Sequence, residues 1–304
     1  MARTTVENTM QRIRRRLASG QRDEVSTLNG AVDASTTTMT LTYDLPAGLR
    51  QGAIVCVGTE TMRVMAINSA AKTATVIRGW QDTDPAAHDD GAEVWINPRF
   101  QPIDIFDAML AELGSWGPDL YRVLGVQATT ADGQDTYELP ASIATCYGLI
   151  AVYRQWDDVG QYLEPSTAWP KLPYRILRGT TAWTDGAATT GVQLRFTERL
   201  YAGTVFIMAA MPFDAELTTA DDLVTDGGIQ STMLDVLEMG VIMRLLADDA
   251  NARGSRMVQD EPRHTAETPW GGGVADMQVN MALYRRRKNE EHMKLLARYP
   301  YHGV

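Results

Sequence analysis

The 304-residue chain is long enough for about two domains, and with 44% hydrophobic and 22% charged residues it can bury a real core, which excludes a chain disordered throughout. Its formal net charge of -10 argues against a general nucleic-acid binder, which would carry a basic balance or a basic face. No apolar run approaches the ~18–20 residues that span a bilayer, and the opening MARTTVENTMQRIRRRL has no apolar stretch of the kind a secretory signal needs, so a cytosol-like compartment is expected.

Residues 1–22 read as a basic N-terminal helical arm. Thr4, Thr5 or Asn8 can start the helix, and Val6, Met10, Ile13 and Leu17 recur three and four apart on one face. Arg12, Arg14, Arg15 and Arg16 cover the rest, and Gly20 ends it. The expected role of the face is docking on the arm's own protein, with contacts to a neighbouring subunit through the four arginines as the next reading. DNA contact comes last.

Residues 23–97 read as a small β-barrel domain. Thr36–Tyr43 alternates with period two and is rich in β-branched residues. Leu45-Pro46-Ala47-Gly48 turns the chain. Strands follow at Ala53–Val57, Glu60–Ile67, Ala74–Ile77 and Glu93–Ile96, separated by the turn Asn68–Thr73 and the polar loop Gln81–Gly91. Strands this short and this often interrupted make a small barrel or sandwich. Asn97-Pro98 breaks the pattern, and residues 98–118 hold a connecting helix, about Ile103–Leu113.

Residues 119–213 read as a β-sandwich domain. Its expected strands are Tyr121–Gln127, Asp135–Leu139, Tyr147–Arg154, Tyr174–Leu177, Thr189–Phe196 and Thr204–Ala210, with a turn at Thr184-Asp185-Gly186. Trp156, Trp169 and Trp183 sit at strand margins, where large aromatics usually cap a core. Residues 214–304 switch to helical spacing: one helix from Ile229 to Asp249, with Gly254 after its end, and a second from about Val274 to Arg298. The polar stretch 254–273 between them reads as a flexible loop, and Tyr299–Val304 as a short aromatic tail. The fold class is therefore α+β and β-rich, with two small antiparallel β domains joined by a helix and a C-terminal pair of long helices.

Little in the chain promotes chemistry. Cys56 and Cys146 lie in apolar strand-like runs and read as small buried hydrophobes, without a disulfide or metal framework. His88 with Asp82, Asp84, Asp89 and Asp90 forms a dense acidic loop, but Ca²⁺ needs six to eight oxygens and the EF-hand spacing is absent; a solvated loop is expected. There is no P-loop, no H-E-x-x-H and no G-x-S-x-G. Gly271–Gly273 lacks the preceding strand of a dinucleotide turn and reads as a hinge. The histidines at 88, 264, 292 and 302 are scattered, so no triad is nominated. No catalytic residue, cofactor or metal site is expected, although two acids meeting in space as a glycan-cleaving pair stay open.

The pattern V-G-x-E-x-M-x-V over residues 57–64, V-x-R-G over 76–79 and A-x-H-x-x-G-A-x-V over 86–94 resembles a module of tailed-phage virion proteins. The second half, with YRIL, GVQLRF and AGTVFIMAAMPFD followed by GVIMRLL and the arginine-rich ALYRRRKNEEH, resembles the head-to-tail adaptor (connector) proteins of those phages. The resemblance implies a structural virion protein rather than an enzyme. It implies a homo-oligomeric ring, usually a dodecamer, at the head-tail junction under the portal, assembled in the host cytoplasm, contacting the portal and the next neck or tail protein. DNA would pass through the channel without specific binding, which an acidic surface favours, and no membrane is involved. Arg285, Arg286, Arg287, Lys288, Arg298, Tyr299, Tyr301 and His302 are then the expected portal or neighbour contacts. Many adaptors are shorter and mostly helical, so stopper, tail-terminator, baseplate and tail-tube roles stay open, with a tail-associated hydrolase behind them.

Overall fold

A computed structural model of the chain describes residues 4–17, 23–42, 46–154, 170–178, 192–213, 216–259 and 272–303. The expected α+β organisation with curled antiparallel sheets is what the chain adopts. It divides into two compact units: Met1–Leu113 with Glu216–Asp226 and Leu234–Tyr284, and Gly114–Ala215 with Gly227–Met233 and Arg285–Val304.

In the first unit, α1 (Val6–Leu17) buries Val6, Met10, Ile13 and Leu17, the face read from the spacing. Thr5 starts it, its Oγ1 accepting the Asn8 N–H at 3.3 Å. The first helical N–H groups, which have no partner inside a helix, donate instead to Asp221 and Thr219 carbonyls. Six strands follow: β1 (Glu24–Thr27), β2 (Thr38–Thr40), β3 (Ile54–Val57), β4 (Glu60–Asn68), β5 (Thr73–Ile77) and β6 (Glu93–Ile96). They order as β1-β6-β3-β4-β5-β2. A bridge between Leu28 and Leu41 joins the two outer strands and closes the barrel. The expected long strand at 36–43 keeps only three residues, because the Asp33 carboxylate accepts the Ser35 and Thr36 N–H groups and turns the chain there. Leu28, Met39, Val55, Met62, Val64, Val76, Val94 and Ile96 fill the interior.

Helix α2 (Pro102–Ser115) buries Ile105, Met109 and Leu113. Helix α3 spans Leu234–Gln259, after a short 3₁₀ turn at Ser231–Met233. It runs ten residues past the expected end at Asp249 and carries Gly254 inside it, so residues 254–259 are helical and not loop. A glycine within a helix costs only about 1 kcal/mol, which neighbouring turns can outweigh. Helix α4 spans Gly272–Arg298. Gly272 and Gly273, read as part of the loop and its hinge, are helical instead; residues 260–271 of the expected loop, Gly20, the turn Thr184-Asp185-Gly186 and Trp156, Trp169 and Trp183 lie outside the described residues.

In the second unit, β8 (Gln134–Glu138), β10 (Tyr174–Arg178) and β11 (Val192–Leu200) form one sheet, ordered β10-β11-β8. β7 (Arg122–Thr130), β9 (Gly148–Arg154), β12 (Gly203–Met211) and β13 (His302–Gly303) form the other, ordered β13-β9-β12-β7. Alternate residues of both sheets, among them Leu149, Val152, Leu194, Phe196, Val205 and Ile207, make one core. Trp116 is wholly buried and meets the Phe213 ring edge-on at 5.1 Å.

Candidate functional site

Three separate segments, over residues 57–64, 76–79 and 86–94, meet at one point inside the barrel. Glu60 heads β4 with its carboxylate fully buried. Arg78, just after β5, donates from Nε to Oε1 and from Nη2 to Oε2, both at 2.7 Å. His88 Nε2 lies 2.8 Å from Oε2. The Gly79 and Ala86 N–H groups complete the shell at 3.2 and 3.1 Å. Arg78 Nη1 donates to the Asp33 and Thr36 carbonyls, and Nη2 also to the Ala86 carbonyl. Burial pushes the Glu60 carboxyl up, but the Arg78, Ala86 and His88 hydrogen bonds together outweigh it and hold the group below its ordinary range.

Chemically this is a lock. Each oxygen of Glu60 is occupied, and the cavity beside Arg78 and His88 is about 10 Å³, room for one water at most. Gly79 is required: its φ is +60°, and a Cβ there would lie 2.7 Å from the Thr83 carbonyl. The lock ties the loop 81–91 to the barrel wall. Asp82, Asp84, Asp89 and Asp90 are all exposed on that loop; Asp90 also accepts the Gly30 N–H at 2.7 Å. Among the described residues no group of three His, Cys, Asp or Glu side chains is placed to hold a metal ion.

The arginines of α1 are mostly engaged within the chain. Arg12 Nε and Arg16 Nη1 grip the buried Glu238 at 2.7 and 2.9 Å. Arg14 lies over the Trp95 ring, 3.2 Å from its centroid, and pairs with Asp23 at 3.2 Å. Burial pulls the Arg14 guanidinium down and Asp23 opposes it. Arg15 is exposed.

The C-terminal residues divide in the same way. Arg287 pairs with Glu291 and Glu290, both at 3.0 Å, and Lys288 with Asp119 at 3.1 Å. Glu291 is buried and also accepts from Lys294 at 2.6 Å and Thr232 at 2.9 Å. Arg285 and Arg286 are exposed, Arg286 pairing with Glu290 one turn on. The aromatic tail, read as a natural docking element for a partner, folds back on its own unit. The Tyr121 hydroxyl donates to the Tyr299 carbonyl at 2.7 Å, Tyr301 meets the Tyr121 ring edge-on at 5.0 Å, and His302 pairs with Leu149 as strand β13. Burial and Tyr301 push the Tyr121 phenol up to about 12.

One cluster has no motif to announce it. Glu112 of α2 is buried, accepts Arg244 Nε of α3 at 2.6 Å, and bonds the Tyr284 hydroxyl of α4. A Cβ on Gly240 would sit 2.3 Å from Glu112 Oε1, so the glycine makes room for the carboxylate. The only trace in the sequence is a glycine inside an otherwise apolar helical face. Cys56 and Cys146 are buried, as expected of small hydrophobes; burial pushes the Cys56 thiol up to about 11. No helix among the described residues is long and apolar enough to cross a membrane.

Neither a protein-family profile nor a curated protein matches this sequence.

Proposed function

We propose that the chain is a structural subunit of a tailed-phage virion, a head-to-tail adaptor that closes into a ring beneath the portal and lines part of the DNA exit channel. The observation that carries this reading is the barrel lock. The motif residues that resemble the virion module converge on one buried carboxylate, Glu60, and serve to fix an exposed acidic loop. A module whose signature residues build a rigid, charged projection suits an assembly part. The chain's formal net charge of -10 suits a wall past which DNA slides, since like charge keeps the polymer from sticking. The exposed Arg285 and Arg286, near the C-terminal end of the chain, offer forked donors to a partner's carboxylates.

The test is the mass and shape of the purified chain, alone and with portal rings, by light scattering and negative-stain imaging. Closed rings, or a monomer that forms a ring only on the portal, are the expected result. A chain that neither closes a ring nor joins the portal would overturn the adaptor reading.

A further inference from the structure

The outer face of the sheet β13-β9-β12-β7 carries a cleft of about 380 Å³. That size falls in the range of built binding sites. On its floor Val123, Ile150 and Met208 are half-buried, with Phe206 buried among them and Tyr153 beside them. Gly125 shapes it, for a Cβ there would lie 2.3 Å from Phe206 Cζ, so the ring tip fits against β7 where the side chain is missing. Lys171, Arg298 and the tail residues Tyr299 and Pro300 complete the lining.

The charges decide what the cleft takes. The chain has ten more acids than bases, 38 against 28, and Arg12, Arg14, Arg16, Arg78, Arg244, Arg287 and Lys288 are all spent on carboxylates. Lys171 and Arg298 have no carboxylate partner among the described residues. Each lies instead over a tyrosine of the same cleft, Lys171 over Tyr153 at 5.9 Å and Arg298 over Tyr299 at 5.0 Å. Two exposed cations beside an apolar floor fit a segment with a small apolar tip and carboxylates on both sides of it.

The chain itself carries such a segment. In the loop 81–91, Pro85, Ala86 and Ala87 are exposed, with Asp82 and Asp84 before them and Asp89 and Asp90 after. The Glu60 lock holds the loop in one shape, which lowers the entropy lost on docking. We infer that the cleft on the outer sheet receives the acidic loop 81–91 of a second copy of this chain, Pro85–Ala87 on the apolar floor and the flanking aspartates against Lys171 and Arg298. Two different patches meeting between copies make a heterologous contact, the kind that builds rings. The inference rests on the proposed ring and names the contact that closes it.

Charge reversal tests it. Three chains are compared by light scattering and sedimentation at moderate salt: wild type, a cleft variant (Lys171→Glu with Arg298→Glu) and a loop variant (Asp82→Asn with Asp84→Lys and Asp89→Lys), whose loop keeps one acid against two bases. Each variant alone is expected to self-associate at least about a hundredfold more weakly than wild type, because like charges then face each other. Mixing the two variants restores assembly, since acidic loop meets basic cleft and basic loop meets acidic cleft in alternation. Recovery in the mixture also shows that both variants fold. Wild-type-like assembly of the cleft variant alone, no recovery in the mixture, or a wild-type chain that self-associates under no condition overturns the inference. Rings indifferent to the reversals would leave the adaptor reading standing without this contact. Charge-swapped assembly into open filaments would keep the contact and sink the ring.

Discussion

Replacing Glu60 by alanine strips the barrel of the group on which its motif converges. Two charge-assisted bonds from Arg78, one contact with His88 and two backbone N–H bonds end on this carboxylate, and the Arg78 side chain is only 6% exposed. Water therefore cannot take over, and the guanidinium keeps its charge in a buried place. Breaking a buried pair in this way costs about 3–5 kcal/mol. For a unit of this size each kcal/mol lowers Tm by roughly 2–4 °C, so a fall of about 6–20 °C in one calorimetric transition is expected. Glu60→Ala with Arg78→Ala should cost less than the sum of the two single changes, because the second removes the charge stranded by the first. The pH dependence has a definite sign. Glu60 is held below its ordinary carboxyl value of 4.5, so its contribution is whole above that pH and fades only as pH falls through the lower folded value. A fall in Tm below about 2 °C for Glu60→Ala, or fully additive single and double variants, would refute the lock.

Gly240→Ala should destabilise the first unit by about 1–3 kcal/mol through overpacking, although alanine is the better helix former, because its Cβ would fall 2.3 Å from Glu112 Oε1; urea unfolding reads the change, and a stabilised variant would contradict the packing. Tyr121→Phe removes the hydroxyl that holds the Tyr299 carbonyl, at about 1 kcal/mol, and should speed amide exchange in β13 while leaving the barrel unchanged. Unchanged exchange at His302 and Gly303 would show that the strand pairing alone holds the tail.

Local chemistry by itself determined much of this protein. The run Glu93–Ile96 and the 3.6-residue face Val6-Met10-Ile13-Leu17 bury their apolar residues, because each pattern fits a regular backbone with its apolar side inward; Glu60–Ile67 buries Met62 and Val64 but leaves Met65 and Ile67 exposed past the register shift at Val64/Ala66. Long-range partners decided the rest. Glu60, Arg78 and His88 are separated by up to 28 residues, and only barrel closure brings them to one point. Glu112 meets Arg244 and Tyr284 across 132 and 172 residues, contacts with no spacing signature. The two-residue strand β13 is too short to have a period, and exists because β9 offers an edge and Tyr121 a hydroxyl. Gly254, a stop signal in isolation, lies within α3 because one glycine's preference is about 1 kcal/mol, less than a continuous run of helical hydrogen bonds can supply.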